Sequence, residues 1–417
     1  MILKIMRVIS KTLFFLLMIL DIAVFAAIFY LDSTLGEEYK IKKGDVLDFD
    51  TSVPITAVYD GVKLSQSGKT NNIGEEFDVQ LKAFGIIPFS TVNVEVVDEL
   101  HVAVLGTPFG MKLYTDGVLV IDLTDVETKS GNVSPAKKAG IKKGDYIVSI
   151  DGKNVYTNED VSAAVEASAG NKMNFKIKRN GVIKNIEFCA EISEETGSYK
   201  IGLWVRDSSA GIGTLTFYSP ATGIVCGLGH GICDEDTDEL LELNSGEIVT
   251  AEIIGIEKGK SGSPGQLKGK FTYKTLGAID LNEENGVYSF LEGDINLSNL
   301  TEVALKQEVE DGEAQILCTV DGTTPELYSC EIKKRSSSYL SPTQNILITV
   351  TDKELLEKTG GIVQGMSGSP IIQNGKLVGT VTHVLIDDPT SGYGIFAENM
   401  LSTISEMKYE ELGSEVS

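Results

Sequence analysis

The chain has 417 residues, more than a single hydrophobic core usually supports, so we expect two or three domains. Its 43 glycines, 10 prolines and 42% apolar residues indicate turn-rich folded structure and exclude a disordered chain. Sixty acidic and 36 basic residues give a net charge of −24, which repels a phosphate backbone, so we expect no nucleic acid partner.

The first predicted element is a transmembrane helix. Lys4, Arg7 and Lys11 make residues 1–11 a basic cytoplasmic tail, and residues 12–31 form an apolar run long enough to span a bilayer. Basic residues before the run and acidic residues after it place the rest of the chain on the extracytoplasmic side. We favour a retained anchor over a cleaved signal peptide, because the run exceeds the usual length of a signal core.

Residues 45–98 follow as short segments that contain Val, Ile and Phe and are separated by glycines. This pattern predicts a small β-rich spacer between the membrane helix and the later domains. No motif within it indicates an activity.

Residues 99–192 carry a more specific pattern. Residues 134–140 have the features of a one-turn helix, with a Ser N-cap, Pro at the first helical position and a terminal Gly. A strand over 146–150 follows, and residues 158–169 predict a helix rich in Ala and Val. Together these segments resemble a bacterial PDZ domain of the α+β class.

The PDZ resemblance implies a peptide ligand. In that family the peptide adds as an extra strand, and amides of a loop before the receiving strand hold its terminal carboxylate. The segment 107–111 stands where such a loop is expected, so we predict that Phe109, Gly110 and Met111 bind the peptide. A domain that only packs against its neighbour remains the alternative.

Residues 200–410 predict many short strands at turn-separated intervals. About two hundred residues of this kind, with a His after an early strand and a Gly-flanked Ser late, resemble the chymotrypsin-like double β-barrel. In that architecture each barrel closes its own edges and the active site lies between the two. The whole chain is therefore expected to be mainly β.

The string Gly-Met-Ser-Gly-Ser-Pro at 365–370 has the form of a nucleophile turn. A catalytic hydroxyl needs a tight turn that exposes it, and glycines on both sides permit one. We predict that Ser367 is the nucleophile and that the amides of Gly365 and Ser367 form the oxyanion hole.

His230 lies 137 positions before this serine, in the string Gly-Leu-Gly-His-Gly at 227–231. We expect it to accept the hydroxyl proton and to return it to the leaving amine. Cys226 and Cys233 bracket this histidine and suggest zinc as an alternative, but a second ligand cluster is missing from the sequence. We therefore predict no metal and no cofactor.

Four strings resemble the stage IV sporulation protein B peptidases; they lie at 213–218, 227–232, 360–370 and 382–394. The resemblance covers anchor, spacer, PDZ domain and peptidase. It implies a membrane-associated serine endopeptidase of endospore-forming bacteria, which passes from the forespore into the intermembrane space and cleaves its own chain. It further implies cleavage of the regulator of an intramembrane metalloprotease, which releases a late sigma factor.

The same resemblance places the triad acid at Asp352, fifteen residues before the nucleophile. Chain order alone also admits Asp280, and we favour Asp352. Thr382 and His383 follow on a strand that borders the substrate in chymotrypsin-like folds, so we expect them to line the substrate site. His101 lies in the PDZ segment and is expected to be structural.

Two further points bear on function. Met366 stands where digestive relatives carry an Asp that pairs with a newly cut N-terminus, so we expect activation here to involve the PDZ domain instead.

A second Ser-Gly-Ser-Pro string at 261–264 follows charged residues and predicts an exposed loop. The rival function is an inactive membrane-tethered scaffold that only captures peptides through its PDZ domain.

Overall fold

The computed structural model describes residues 2–36, 38–47, 49, 51–67, 69–291, 297, 299–335, 341 and 343–414. These residues form α-helices, many β-strands and a short 3₁₀ turn, so the prediction of a mainly β chain is confirmed.

The N-terminal element is helix α1 (Ile2–Thr34). Its stretch Ile9–Asp32 has a mean hydropathy of 2.6 and packs against none of the described residues along most of its length. Twenty-four helical residues extend about 36 Å, so α1 is long and apolar enough to cross a membrane.

The predicted spacer is a five-stranded sheet that begins earlier than expected. Its strand order is β1-β5-β4-β2-β3, and the alternating exposure along β4 turns one face toward its core. Lys42, at the end of β1, is buried and ion-paired with Glu302 and Glu308 of the peptidase half. The elements are β1 (Glu38–Lys42), β2 (Ile55–Tyr59), β3 (Val62–Lys63), α2 (Leu64–Ser67), the 3₁₀ turn Lys69–Asn71, β4 (Glu76–Ala83) and β5 (Ile87–Val97).

The PDZ module packs helix α4 and a short helix α3 against a sheet. Helix α4 begins with a capping box, in which the Thr157 hydroxyl accepts from the Asp160 amide and Asp160 accepts in return. The elements of this region are β6 (His101–Val104), β7 (Pro108–Leu123), β8 (Val126–Thr128), β9 (Gly131–Val133), α3 (Pro135–Ala139), β10 (Tyr146–Ile150), β11 (Lys153–Asn154), α4 (Asn158–Ala167), β12 (Lys172–Arg179), β13 (Val182–Cys189), β14 (Glu191–Ile192) and β15 (Tyr199–Lys200).

A thirteen-stranded sheet unites the PDZ module with the first half of the peptidase. Its central order is β13-β12-β10-β7-β16-β17-β21-β20, and β18 pairs with β7 as well as with β19. The added strands are β16 (Leu203–Ser219), β17 (Ile224–Gly227), β18 (Leu243–Glu257), β19 (Gln266–Ala278), β20 (Leu281–Glu283), β21 (Gly286–Phe290) and β22 (Thr301–Glu302).

Strands β7 and β16 are long enough to belong to both units. They pair antiparallel from Leu203 with Leu123 down to Thr214 with Pro108. The PDZ module is thus inserted between two strands of the peptidase sheet, and the predicted boundary between 192 and 200 does not separate two independent bodies. The first half of the peptidase is an open half-barrel, and its strands β7 and β16 continue into the PDZ module.

The second half of the peptidase is a closed barrel in the order β23-β24-β25-β28-β27-β26. Its interior is filled by Ile, Val, Leu, Cys and Met side chains. The elements are β23 (Gly312–Cys318), β24 (Glu326–Lys334), β25 (Ile346–Val350), α5 (Lys353–Thr359), β26 (Pro370–Gln373), β27 (Lys376–Leu385), β28 (Asp388–Phe396) and α6 (Ala397–Ser414). The closed barrel and half-barrel bear out the chymotrypsin-like prediction.

Candidate active site

The turn that carries Ser367 lies between α5 and β26. Gly365 and Gly368 have φ angles of +96° and +95°, the left-handed region that favours glycine. Met366, between them, is fully buried in the core of the closed barrel, whereas Ser367 is only partly buried. The buried thioether anchors the turn, while the glycines bend the chain and leave Ser367 partly exposed.

Two amides at this turn lack partners. Across the part of the chain that the structure describes, the N–H groups of Gly365 and Ser367 donate to no acceptor. The neighbouring amides do donate: Met366 to the Val363 carbonyl at 3.1 Å and Gly368 to the Val381 carbonyl at 2.8 Å. Since backbone donors in folded chains are nearly always paired, two free donors on one turn suit an incoming anion.

The loop that carries His230 reaches the same place from the half-barrel. It leaves β17 through Leu228 and Gly229, which both have positive φ angles. The Leu228 amide donates to the Thr214 carbonyl at 3.3 Å, and the Thr214 amide donates to the Ser367 carbonyl at 2.9 Å. One residue of β16 therefore contacts both loops.

The ring of His230 is held by the backbone of the next residue. Its Nδ1 donates to the Gly231 carbonyl oxygen at 2.8 Å, and a carbonyl can only accept. Nδ1 therefore keeps the proton and Nε2 keeps a free lone pair, as a general base requires. Burial lowers the pKa of His230 below its usual value, so the ring is neutral at pH 7.

The Ser367 hydroxyl does not point at His230 here. It donates to the Thr382 carbonyl oxygen at 2.6 Å. The next residue, His383, places its ring 4.8 Å from the ring of His230, with an angle of 34° between the planes. The serine hydroxyl and the two imidazoles therefore share one small region.

His383 remains accessible to solvent. Partial burial and the neighbouring His230 lower its pKa to about 4, so it is uncharged at neutral pH. The Thr382 hydroxyl donates to the Thr343 carbonyl at 2.7 Å and is buried. The role of Thr382 and His383 in lining the substrate site stays a prediction.

Asp352 has a different role from the one predicted. It is the N-cap of α5, and its Oδ1 accepts from the amides of Glu354 at 2.9 Å and Leu355 at 3.0 Å. Its Oδ2 accepts from the Ser329 amide at 3.3 Å. Its carboxylate is thus engaged at the start of a helix and contacts no imidazole among the described residues.

Asp280, the alternative acid, accepts from the Phe290 amide at 2.7 Å and also contacts no histidine in the described chain. Neither candidate orients His230, and the Gly231 carbonyl occupies the position at Nδ1 that an acid would take. In this structure His230 therefore has the Gly231 carbonyl, and not an Asp carboxylate, as the partner of its Nδ1.

Sequence reasoning missed a buried carboxylate near His230. The side chain of Asp234 is fully buried and ion-paired with Arg206 of β16. It also accepts from the amides of Asp236 at 3.0 Å and Thr237 at 2.9 Å. Asp234 thereby folds the loop after His230 onto β16. An Arg in an apolar strand is the sequence signal that could have indicated this pair.

The predicted peptide-binding residues are also placed differently. Phe109, Gly110 and Met111 lie inside β7, paired with β16 on one side and β18 on the other, and Phe109 and Met111 are buried. Gly110 is needed for packing, since an added side-chain carbon would lie 2.5 Å from the Phe271 ring. These residues form no carboxylate-binding loop.

The strand beside helix α4 is the start of β16. Its edge over residues 203–207 pairs with no other strand among the described residues on the side away from β7. The Asn158 amide at the beginning of α4 donates to Asp207, and Glu166 near its end accepts from the Tyr199 amide. These two bonds fix α4 beside the start of β16.

The loop before that edge contains Ile201 and Gly202, both buried. Their amides donate to no acceptor that the described residues provide, while their carbonyls accept from Ala136 and Thr124. Gly202 has a φ angle of +76°. This Ile-Gly-Leu turn has the free amides that were expected at 107–111.

The remaining predicted features are peripheral to the site. Cys226 is buried and donates to the Phe217 carbonyl, and burial raises its thiol pKa far above the usual range, so it supplies no thiolate. The second Ser-Gly-Ser-Pro string is an exposed loop. His101 is exposed on β6.

Two segments of the chain match known protein families. Residues 197–401 match the family described as SpoIVB peptidase S55, and residues 131–179 match a PDZ domain. Residues 197–401 are therefore a SpoIVB-type peptidase domain. The match at 197–401 supports a serine peptidase activity, and the PDZ module is confirmed.

Matches to curated proteins are short. A protein from Clostridium acetobutylicum named as a zinc metalloprotease is 39% identical over 70 residues, 17% of this chain and 21% of its own length. A protein of the same description from Brucella suis is 38% identical over 63 residues, 15% of this chain and 17% of its own. The chain thus spans about a fifth of the length of these relatives.

Two solved structures resemble parts of the chain. The PDZ domain of an SdrC-like protein from Listeria monocytogenes is 21% identical, with a TM-score of 0.18, and the match covers 22% of this chain and 87% of that one. The active form of a protease from M. tuberculosis is 15% identical, with a TM-score of 0.22, and the match covers 47% of this chain and 74% of that one.

Proposed function

We propose that the chain is a membrane-anchored serine endopeptidase in which Ser367 is the nucleophile and His230 the general base. The observation that carries this proposal is the meeting of their two loops at Thr214, beside a turn with two free amides. The amides of Gly365 and Ser367 are the proposed oxyanion hole.

The reaction begins when the Ser367 side chain rotates away from the Thr382 carbonyl. His230 Nε2 takes the hydroxyl proton as Oγ attacks the scissile carbonyl, and the two free amides donate hydrogen bonds to the carbonyl oxygen as it becomes negatively charged. The imidazolium then protonates the leaving amine. Water repeats the same steps on the acyl-enzyme and regenerates the serine.

The hydrogen bond from His230 Nδ1 to the Gly231 carbonyl fixes the tautomer through each step. A neutral carbonyl stabilises the imidazolium less than a carboxylate would. The proposed enzyme is therefore a dyad whose rate depends strongly on its oxyanion hole.

The proposed PDZ ligand is a peptide with a free terminal carboxylate. It would add as a strand along residues 203–207, with α4 on its other side and its carboxylate on the amides of Ile201 and Gly202. Trp204, the one tryptophan of the sequence, is 62% exposed on this edge and suits contact with a bound peptide.

We further propose a role in sporulation signalling, which rests on the family resemblance and the apolar helix α1. The enzyme would be anchored in the forespore membrane with its peptidase facing the intermembrane space. There it would cleave its own chain and the regulator of an intramembrane metalloprotease, so that a late sigma factor becomes active.

Self-cleavage of the full-length chain in detergent tests the proposed chemistry. Wild type, Ser367→Ala, the decoy control Ser263→Ala and a chelator-treated sample are compared by mass spectrometry. We expect cleavage in all samples except Ser367→Ala. Cleavage that survives Ser367→Ala contradicts the nucleophile, and loss on chelation contradicts a metal-independent mechanism.

A further inference from the structure

Thr214 lies at the centre of the proposed site without belonging to either catalytic loop. It is 2% exposed, near the middle of β16. Its amide donates to the Ser367 carbonyl at 2.9 Å, and its hydroxyl donates to the Gly365 carbonyl at 2.9 Å. One side chain and its own backbone thus hold both ends of the three-residue turn 365–367.

These two bonds fix the orientation of the turn. Peptide units are planar, so a carbonyl that is held in place also limits rotation of the unit to which it belongs. Between the two held carbonyls only the Met366–Ser367 unit is left, and its N–H is one of the two free donors. Gly365 has no Cβ to restrict rotation of its backbone, so the bond from the Thr214 hydroxyl to its carbonyl restrains a residue that is intrinsically free to rotate.

The backbone of Thr214 also restrains the base. Its carbonyl accepts from the Leu228 amide, two residues before His230. The same carbonyl approaches the nucleophile turn so closely that a side-chain carbon at Gly368 would lie 1.8 Å from it. No residue larger than glycine fits there, so the spacing between β16 and the turn is fixed.

We propose that Thr214 is a positioning residue for hydrolysis, whose hydroxyl keeps the nucleophile turn in the conformation that presents both amides to the oxyanion. The proposal deepens the proposed function and rests on it. Because Thr214 shares β16 with the proposed peptide edge at 203–207, the same strand connects the PDZ groove with the oxyanion hole.

The test uses full-length protein in detergent and a fluorophosphonate probe, whose reaction with serine needs the same oxyanion hole. The variants are Thr214→Val, which keeps the shape but loses the hydroxyl, and Thr214→Ser, which keeps it. Thr319→Val is the matched control, since the buried Thr319 hydroxyl donates to the Gly106 carbonyl at 3.0 Å, outside the turn.

We expect Thr214→Val to lower the maximal labelling rate by about tenfold or more, with the half-saturating probe concentration unchanged. Thr214→Ser should restore most of the rate, and Thr319→Val should leave it within about twofold of wild type. Thermal unfolding identifies misfolded protein. If Thr214→Val does not fold, Thr214→Ala replaces it with the same expectation.

Equal rates in wild type and the Val or Ala variant overturn the inference, as does an equal loss in the Ser and Val variants. A variant that raises the half-saturating probe concentration but keeps the maximal labelling rate also overturns the inference. If wild-type labelling does not depend on Ser367, the proposed function itself fails. If labelling depends on Ser367 but not on the Thr214 hydroxyl, only this inference fails.

Discussion

The protonation state of His230 controls the proposed chemistry at the scale of single residues. Its pKa lies below its usual value near 6.5 because the ring is buried away from water. Above that pKa Nε2 can accept the serine proton, and below it the imidazolium cannot. Activity should therefore persist to lower pH than a solvent-exposed histidine would allow.

We predict that the rate of fluorophosphonate labelling at Ser367 falls to half on the acid side at a pH below 6.5. His383→Gln serves as the control and should leave this midpoint unchanged, because His383 is already neutral above about pH 4. A midpoint at or above 6.5, or one that follows the His383 substitution, would contradict the assignment of His230 as the base.

A second prediction at this scale concerns Asp352. As an N-cap it can be replaced by Asn, which caps equally well, whereas Ala should lower the free energy of unfolding by about 1 kcal/mol. Both variants should keep their labelling rate at temperatures where they are folded. Urea unfolding and labelling measure the two effects separately.

The triad hypothesis predicts the opposite for this position. Asp→Asn in an established triad lowers the rate by about four orders of magnitude, while leaving the geometry intact. Such a loss in Asp352→Asn would show that this carboxylate moves to His230 during catalysis.

The proposed nucleophile turn could be predicted from sequence because its glycines and its serine stand together in one short string. It misassigned Asp352 because Thr-Asp before a helix is both a family motif and a capping sequence, and only the contacts separate the two. Asp234 escaped notice because its partner Arg206 lies 28 residues away in sequence.

At the scale of elements, the nucleophile turn depends on the approach of β16. Gly368 has a φ of +95°, and an added side-chain carbon would lie 1.8 Å from the Thr214 carbonyl. Gly375 has a φ of +78°, but a side-chain carbon there would meet no atom within 4 Å. Substitution of Gly375 therefore reports backbone strain alone, whereas substitution of Gly368 reports backbone strain together with a steric clash.

We predict that Gly375→Ala costs roughly 1 kcal/mol of stability and keeps activity, because only the left-handed backbone is strained. Gly368→Ala should cost more and should also abolish labelling, since the turn must move away from β16. Thermal unfolding and probe labelling of both proteins test this. Equal behaviour of the two variants would mean that the close contact at Gly368 is unimportant.

The segment 107–123 shows why local pattern was insufficient at this scale. Residues 107–111 were predicted to be a loop because of their place in the PDZ resemblance, but Gly110 lies within a paired strand and allows close approach of the Phe271 ring. A glycine required for a turn and one required for packing have the same sequence signature. The partner strands that distinguish them lie about a hundred residues further along the chain.

At the scale of the whole molecule, the insertion of the PDZ module is the main organising feature. Strands β7 and β16 run through the PDZ sheet and the half-barrel without a break. Deletion of residues 99–192 would therefore remove β6 and β7 from the peptidase together with the PDZ module. Chain length predicts more than one domain, but it gives no sign that two of them share strands.

Shared strands predict shared stability. In native-state hydrogen exchange, amides of β7 at 109–113 and at 118–122 should open with the same free energy, because neither half can unfold without the other losing its partner. Amides of the closed barrel, measured in the same experiment, provide the opening free energy with which both halves of β7 are compared. Separate opening energies for the two halves of β7 would show that the PDZ module unfolds independently.

The most direct test of the account is to identify the residue that a fluorophosphonate modifies in the full-length chain. Mass spectrometric mapping should find the adduct on Ser367, and both Ser367→Ala and His230→Ala should abolish it while the protein stays folded. An adduct on another serine, or labelling of Ser367 that proceeds undiminished without His230, would contradict the proposed serine and histidine pair.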